Sequence, residues 1–80
     1  MDHAKIFDKL VPICSRVFHT SANQLTLASS VEEVENWDSL THMQLINEIE
    51  KAFGVEFSLD QVMDIKNMQD IVSILADKKK

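Results

Sequence analysis

Ser39 and His42 stand three residues apart in the stretch NWDSLTHM, with Asp38 immediately before the serine and Trp37 before that. On a helix a hydroxyl and an imidazole at this spacing share a face, and a neighbouring base is what makes a serine nucleophilic. A hydrolytic site would also need a group to orient the histidine and donors for a developing oxyanion. Neither is visible near the pair. The same hydroxyl has a second possible chemistry. A helix starting at this point presents free amides and a partial positive charge at its tip, which favour an attached phosphate, so Ser39 is also a candidate for a phosphoester. The plainest alternative is a serine merely tolerated in a first helical turn.

The elements that must position these residues follow from periodicity and caps. The first segment, residues 2 to 18, places Ile6, Leu10, Ile13 and Val17 at helical spacing, and Phe7, Cys14 and Phe18 widen the stripe. Pro12 lies inside it, where its ring crowds the carbonyl of Asp8, so a bend or a fresh helical start near Val11 is expected. Residues 19 to 36 are rich in Ser, Thr, Asn and Ala without a sustained period, and read as one long loop pinned to the core by Leu25, Leu27, Val31 and Val34. The second helix begins at Asp38, a good N-cap, and runs to Phe53. Leu40, Met43, Ile46, Ile49 and Phe53 form its inward stripe, and Gly54 ends it as a left-handed cap with Val55 or Phe57 folding back. FSLDQVMDI supplies a short helix capped by Ser58, with Gln61 completing a capping box. Asn67 caps the last helix, with Met68, Ile71, Val72 and Leu75 facing inward. The fold class is therefore all-α: a small four-helix bundle with three main helices, a short third helix and a long loop between helices one and two. No strand and no internal repeat are expected.

Composition narrows the function. Eighty residues with 45% hydrophobic content predict one domain over residues 1–80 with an ordinary small core. A chain of this length buries only about 60% of its unfolded surface, which leaves little room for an enclosed catalytic pocket, and an enzyme acting alone is not expected. The net charge is −5, and residues 32 to 60 hold eight acidic side chains and one basic. Nucleic-acid affinity rests on Lys and Arg displacing counterions, so the acidic middle points away from nucleic acid and toward a basic protein partner. One cysteine excludes an intramolecular disulfide framework and a CxxC site. With charges dispersed through the N-terminal residues and no run of roughly 20 apolar residues, a cytoplasmic chain without membrane contact is expected, as a monomer.

Other residues read as structural. His3, His19 and His42 lack paired ligand spacing, so no metal site is expected. Cys14, on the inward stripe, reads as an inert buried thiol. The four Met residues read as core filler, and the terminal KKK as a solvated tail suited to the negative end of the last helix.

WDSL, placed after a long loop and ahead of an acidic second helix, resembles the attachment motif of the acyl carrier protein family, the phosphopantetheine-binding carrier domains. The stretch LINEIEKAFGVEFSLDQVMDIKNMQDIVSIL is similar to that family's later helices, so the resemblance covers essentially the whole chain. It implies that Ser39 is esterified to 4′-phosphopantetheine by a holo-acyl-carrier-protein synthase or other phosphopantetheinyl transferase. That enzyme would draw the group from coenzyme A with the help of magnesium. It implies further that the arm's thiol holds an acyl or aminoacyl cargo as a thioester, handed between loading and accepting enzymes. Asp38 matches the family's aspartate, with roles in capping and in contact with the synthase or its metal, and Leu40 matches the leucine that anchors the helix start in the core. Trp37 is either loop packing or a partner contact.

The chain departs from carriers of primary fatty acid synthesis at two places. Asn36 stands where many have a glycine, and Asn tolerates a left-handed backbone. On the second helix Gln44, Asn47 and Lys51 dilute the acidic face, leaving Asp38, Glu48 and Glu50. With Trp37, the residues Gln44, Asn47, Glu48, Glu50 and Lys51 form the expected docking set. Weaker acidity weakens steering to strongly basic enzymes, so a specialised polyketide, nonribosomal peptide or related pathway is expected. The competing reading is a small helical protein–protein interaction domain without a prosthetic group.

Overall fold

Side-chain caps set the four helices. In a computed structural model, which describes residues 2–79, α1 spans His3–Phe18, α2 Ser39–Phe53, α3 Leu59–Asp64 and α4 Met68–Lys78. The carboxylate of Asp38 accepts from the Thr41 amide at 3.0 Å while the Thr41 hydroxyl accepts from the Asp38 amide at 2.9 Å, so α2 opens on a reciprocal capping box. Ser58 and Gln61 make the same exchange at α3, and Asn67 accepts from the Asp70 amide at α4. Gly54 closes α2 with φ 65°. A Cβ added there would meet nothing within 4 Å, so backbone handedness, and not space, is what calls for glycine.

Three expectations about the elements change. α1 runs unbroken through Pro12, with no fresh start near Val11. The interhelical segment is not one plain loop: it holds a 3-10 turn at Ala22–Gln24, and its residues 27 to 31 pair with the start of α4. The amides of Gln69 and Met68 donate to the carbonyls of Leu27 and Ser29, and the Val31 amide donates to that of Lys66. Because backbone bonds hold this stretch, its side chains need not. Leu25 is buried and Val34 packs on the core, whereas Leu27 and Val31 are exposed.

The core lies between α1, which packs against both α2 and α4, and the inner face of α3. α1 supplies Ile6, Leu10, Ile13, Cys14 and Phe18, α4 supplies Met68, Ile71, Val72 and Leu75, and α3 contributes Val62. α2 turns Leu45, Ile46, Ile49 and Phe53 inward. This corrects its expected stripe, because Leu40 is 69% and Met43 49% exposed. Positions 45, 46, 49 and 53 form the true inner face, which leaves Leu40 on the opposite side. The methionines are corrected with them: Met68 is core, but Met43 and Met63 are exposed, and Met1 lies outside the described residues. At the C-terminus Lys78 stands 5.6 Å over the Phe57 ring and so is no free tail residue, while Lys80 lies outside the described residues. Among those described, no strand forms beyond one isolated bridge, Ser30 to Asn67.

Candidate functional site

Ser39 is the first residue of α2, and it is exposed. The 15-residue helix behind it aligns its peptide dipoles so that their positive end falls at this hydroxyl. The amides of that tip are not all free, however. Asp38 takes the Thr41 amide, and that amide first, with the Thr41 hydroxyl and the Leu40 amide, holds its carboxyl below the usual carboxylate range against an opposing desolvation. A phosphate on Ser39 would gain from the dipole but would share the tip with a carboxylate.

Beside Ser39 an open cleft of about 560 Å³ runs between α2, α3 and the end of the long loop, a size in the range of small-molecule sites. Val31, Met43, Leu59 and Met63 form its outer walls and Trp37, Val62 and Ile65 its buried depth. The apolar side chains exposed here are what a site for an apolar ligand would leave uncovered.

Trp37 and His42 hold this edge together. The Trp37 ring is 4% exposed and stacks on Phe18 with centroids 4.9 Å apart. Its Nε1–H donates to His42 Nδ1 at 2.9 Å, and His42 Nε2 lies 2.9 Å from the Val62 carbonyl oxygen. Indole N–H can only donate and a carbonyl can only accept, so His42 is neutral, with its proton on Nε2. Both ring nitrogens are engaged, which leaves no lone pair to activate Ser39. The expected docking role of Trp37 is corrected for the same reason: it is an interior packing residue.

The rest of the predicted docking set divides. Gln44, Asn47 and Lys51 are exposed, and Glu48 is half-buried; their spacing of three and four residues puts them on one face. Leu40 shares this outer face, which overturns its expected anchoring role in the core. Glu48 lies 3.4 Å from Arg16 of α1, an exposed pair of small energetic weight. Glu50 points elsewhere, accepting from the Phe57 amide at 2.8 Å, and so braces the turn from α2 to α3. Asn36 does not use a left-handed backbone, since His19 is the one non-glycine with positive φ among the described residues. Instead its side-chain amide donates to the Phe18 carbonyl at 2.7 Å. Sequence reasoning missed Thr41, Leu45 and the structural use of His42; the inner spacing of 45, 46, 49 and 53 was the signal available for Leu45. Among the described residues no three His, Cys, Asp or Glu side chains converge to hold a metal ion, and Cys14 is buried, which pushes its thiol up to about 12.

The family model described as the phosphopantetheine attachment site matches residues 8–75. The chain belongs to the phosphopantetheine-binding acyl carrier family. It is 33% identical over 75 residues to an acyl carrier protein of Coprothermobacter proteolyticus, covering 94% of this chain and 92% of that one. It is 34% identical over 74 residues to one of Lactococcus lactis, covering 92% and 97%. Among solved structures, the holo acyl carrier protein of Geobacter metallireducens superposes with a TM-score of 0.81 at 33% identity, over 90% of this chain and 83% of that one. This carrier thus holds acyl groups as thioesters on a covalently attached 4′-phosphopantetheine. The exposed hydroxyl, the helix tip and the adjoining apolar cleft fit such an arm, because they offer an attachment oxygen open to a second protein and an apolar wall along which the arm can lie. Among the described residues no helix is long and apolar enough to cross a membrane.

Proposed function

We propose that Ser39 is the attachment residue and that residues 1–80 form one carrier domain that works without chemistry of its own. The observation that carries this reading is the exposed Ser39 hydroxyl at the positive tip of α2 beside the cleft. During loading, the Ser39 Oγ–phosphorus bond forms as the pyrophosphate link of coenzyme A breaks, with adenosine 3′,5′-bisphosphate leaving on the bond's electron pair and the hydroxyl proton taken up by a phosphopantetheinyl transferase. Once bound, the arm supplies a terminal thiol for the acyl thioester. Asp38 fixes the helix start, and so the direction in which Ser39 presents its oxygen. That His42 has both nitrogens engaged supports a carrier over a serine hydrolase.

Biosynthetic enzymes that load and accept the acyl group dock on the outer face of α2, at Leu40, Gln44, Asn47, Glu48 and Lys51. This face mixes apolar, amide and both charge signs, which favours enzymes of a specialised pathway, polyketide or nonribosomal peptide synthesis among them, over strongly basic partners. The chain works in the cytoplasm, as a monomer, away from nucleic acid and membranes. Incubation of the apo chain with coenzyme A and a permissive transferase, read by intact mass, tests the attachment. The wild type should gain one phosphopantetheine and Ser39→Ala none. A modified Ser39→Ala, or an unmodified wild type beside a modified control carrier, overturns it.

A further inference from the structure

The cleft beside Ser39 is lined by apolar side chains, but a polar line crosses its depth. It runs from Trp37 Nε1–H to His42 Nδ1 and from His42 Nε2–H to the Val62 carbonyl, each step 2.9 Å. Its far end is available because α3 has only six residues, so the carbonyl of Val62 has no intrahelical donor; the Lys66 amide, four residues on, is held by Asp70 instead. His42 thereby ties α3 to α2 and, through the Trp37 ring, to the end of α1. The same cleft is walled by Val31, Met43, Leu59 and Met63, all exposed and so at its outer rim. On α2 the next inward positions after His42 are Leu45, Ile46 and Ile49, all buried.

We propose that His42 is a bar across the cleft that sets the cargo this carrier takes: short or polar acyl groups, held in the outer cleft and kept out of the bundle interior. A long hydrocarbon tail could pass inward only if α3 moved off α2, which breaks the bond between His42 and the Val62 carbonyl. Methylene groups offer nothing to replace that bond, and a donor or acceptor left unpaired beneath an apolar chain is costly. A short chain lying against Met43, Leu59 and Met63 breaks no bond, and flexible thioethers adapt to its shape. His42 is on this view a specificity-determining residue acting through position, and touches no reacting atom. The inference rests on the attachment of the arm at Ser39.

The test uses holo-protein charged as butyryl, octanoyl and dodecanoyl thioesters, with charging verified by intact mass, so that a failure of attachment appears as absent charging before any cargo is compared. Thermal midpoints and nuclear Overhauser contacts from the acyl chain are then measured for wild type, His42→Leu and His42→Gln. For wild type we expect one midpoint across the three chain lengths, with contacts to the Met43, Leu59 and Met63 methyls and none to the bundle interior. His42→Gln can accept from Trp37 and donate to Val62, and should match it. His42→Leu removes the bar, so its midpoint should climb by several degrees with each lengthening, with new contacts to Leu45 and Ile49. A wild-type midpoint that climbs with chain length, wild-type contacts to Leu45 or Ile49, or a flat series in a folded His42→Leu each overturn the proposal. Should His42→Leu not fold, the wild-type contact pattern decides alone.

Discussion

Replacing Trp37 should cost this chain much of its stability, and the structure says how the loss divides. At 4% exposure, stacked 4.9 Å from Phe18, the indole fills the junction of the loop, α1 and α2. Truncating such a ring to alanine costs about 3–5 kcal/mol. A chain of 80 residues at roughly 0.05–0.15 kcal/mol per residue has only about 4–12 kcal/mol in total, so Trp37→Ala should be marginal or unfolded at body temperature. Trp37→Phe keeps a ring against Phe18 but removes the donor to His42 Nδ1, and should cost about 1–3 kcal/mol, the range for a buried polar group left without its partner. At about 4–8 °C per kcal/mol for a domain of this size, the two variants separate clearly in thermal melts. Urea unfolding followed by far-ultraviolet circular dichroism gives the free energies without relying on indole fluorescence. Combining Trp37→Phe with His42→Leu completes a double-mutant cycle. Since the two side chains share a hydrogen bond, the double variant should lose less than the sum of the singles, by at least about 0.5 kcal/mol. A Trp37→Ala loss below about 1 kcal/mol, or an additive cycle, would refute the reasoning.

Three further outcomes are expected. Ser39→Ala, exposed and outside every cap bond of α2, should change stability by no more than about 0.5 kcal/mol, checked by urea unfolding; a larger loss would mean that the hydroxyl is structural. Asp38 has its carboxyl held below its ordinary 3.8, chiefly by the Thr41 amide, so its cap contribution is present above that ordinary value and lost as pH falls through the lower, folded one. The melting advantage of wild type over Asp38→Ala should therefore persist at about pH 6 and shrink toward about pH 3, and a constant gap across that range would contradict it. Cys14, buried with its thiol pushed up to about 12, should not react with a disulfide reagent at about pH 8 in the native apo chain. The holo chain should then titrate only the thiol of its arm, with Cys14 appearing on denaturation.

The parts of the fold written locally were legible. Asp38, Ser58 with Gln61, Asn67 and Gly54 each act on amides or dihedrals within a few residues, so their types announce three of the four helices before any packing is known. The inner face of α2 was harder. Leu40 and Met43 continue the spacing of Ile46, Ile49 and Phe53 as well as Leu45 does, and only the presence of α3 and the loop decides which side is covered. His42 interrupts the apolar inner face with a polar ring whose partners lie five residues back and 20 ahead, and no periodicity reports that. Trp37 could be read as loop packing or as a partner contact, and what decides for packing is Phe18, on another helix. Exposure of Ser39 was readable from its place in the first turn; the cleft next to it, assembled from three separate segments, was not.

Asn36 joins two helix ends through one residue. Its amide closes on the last carbonyl of α1, and its own carbonyl receives the Thr41 hydroxyl from the first turn of α2. The tilt of the presented serine is therefore set from the far end of the preceding helix. Chimeras that splice a foreign connector between residues 19 and 35 can keep that alignment provided both anchors of Asn36 survive, whereas a seam cut between 36 and 41 would misaim the tip even with every motif residue retained.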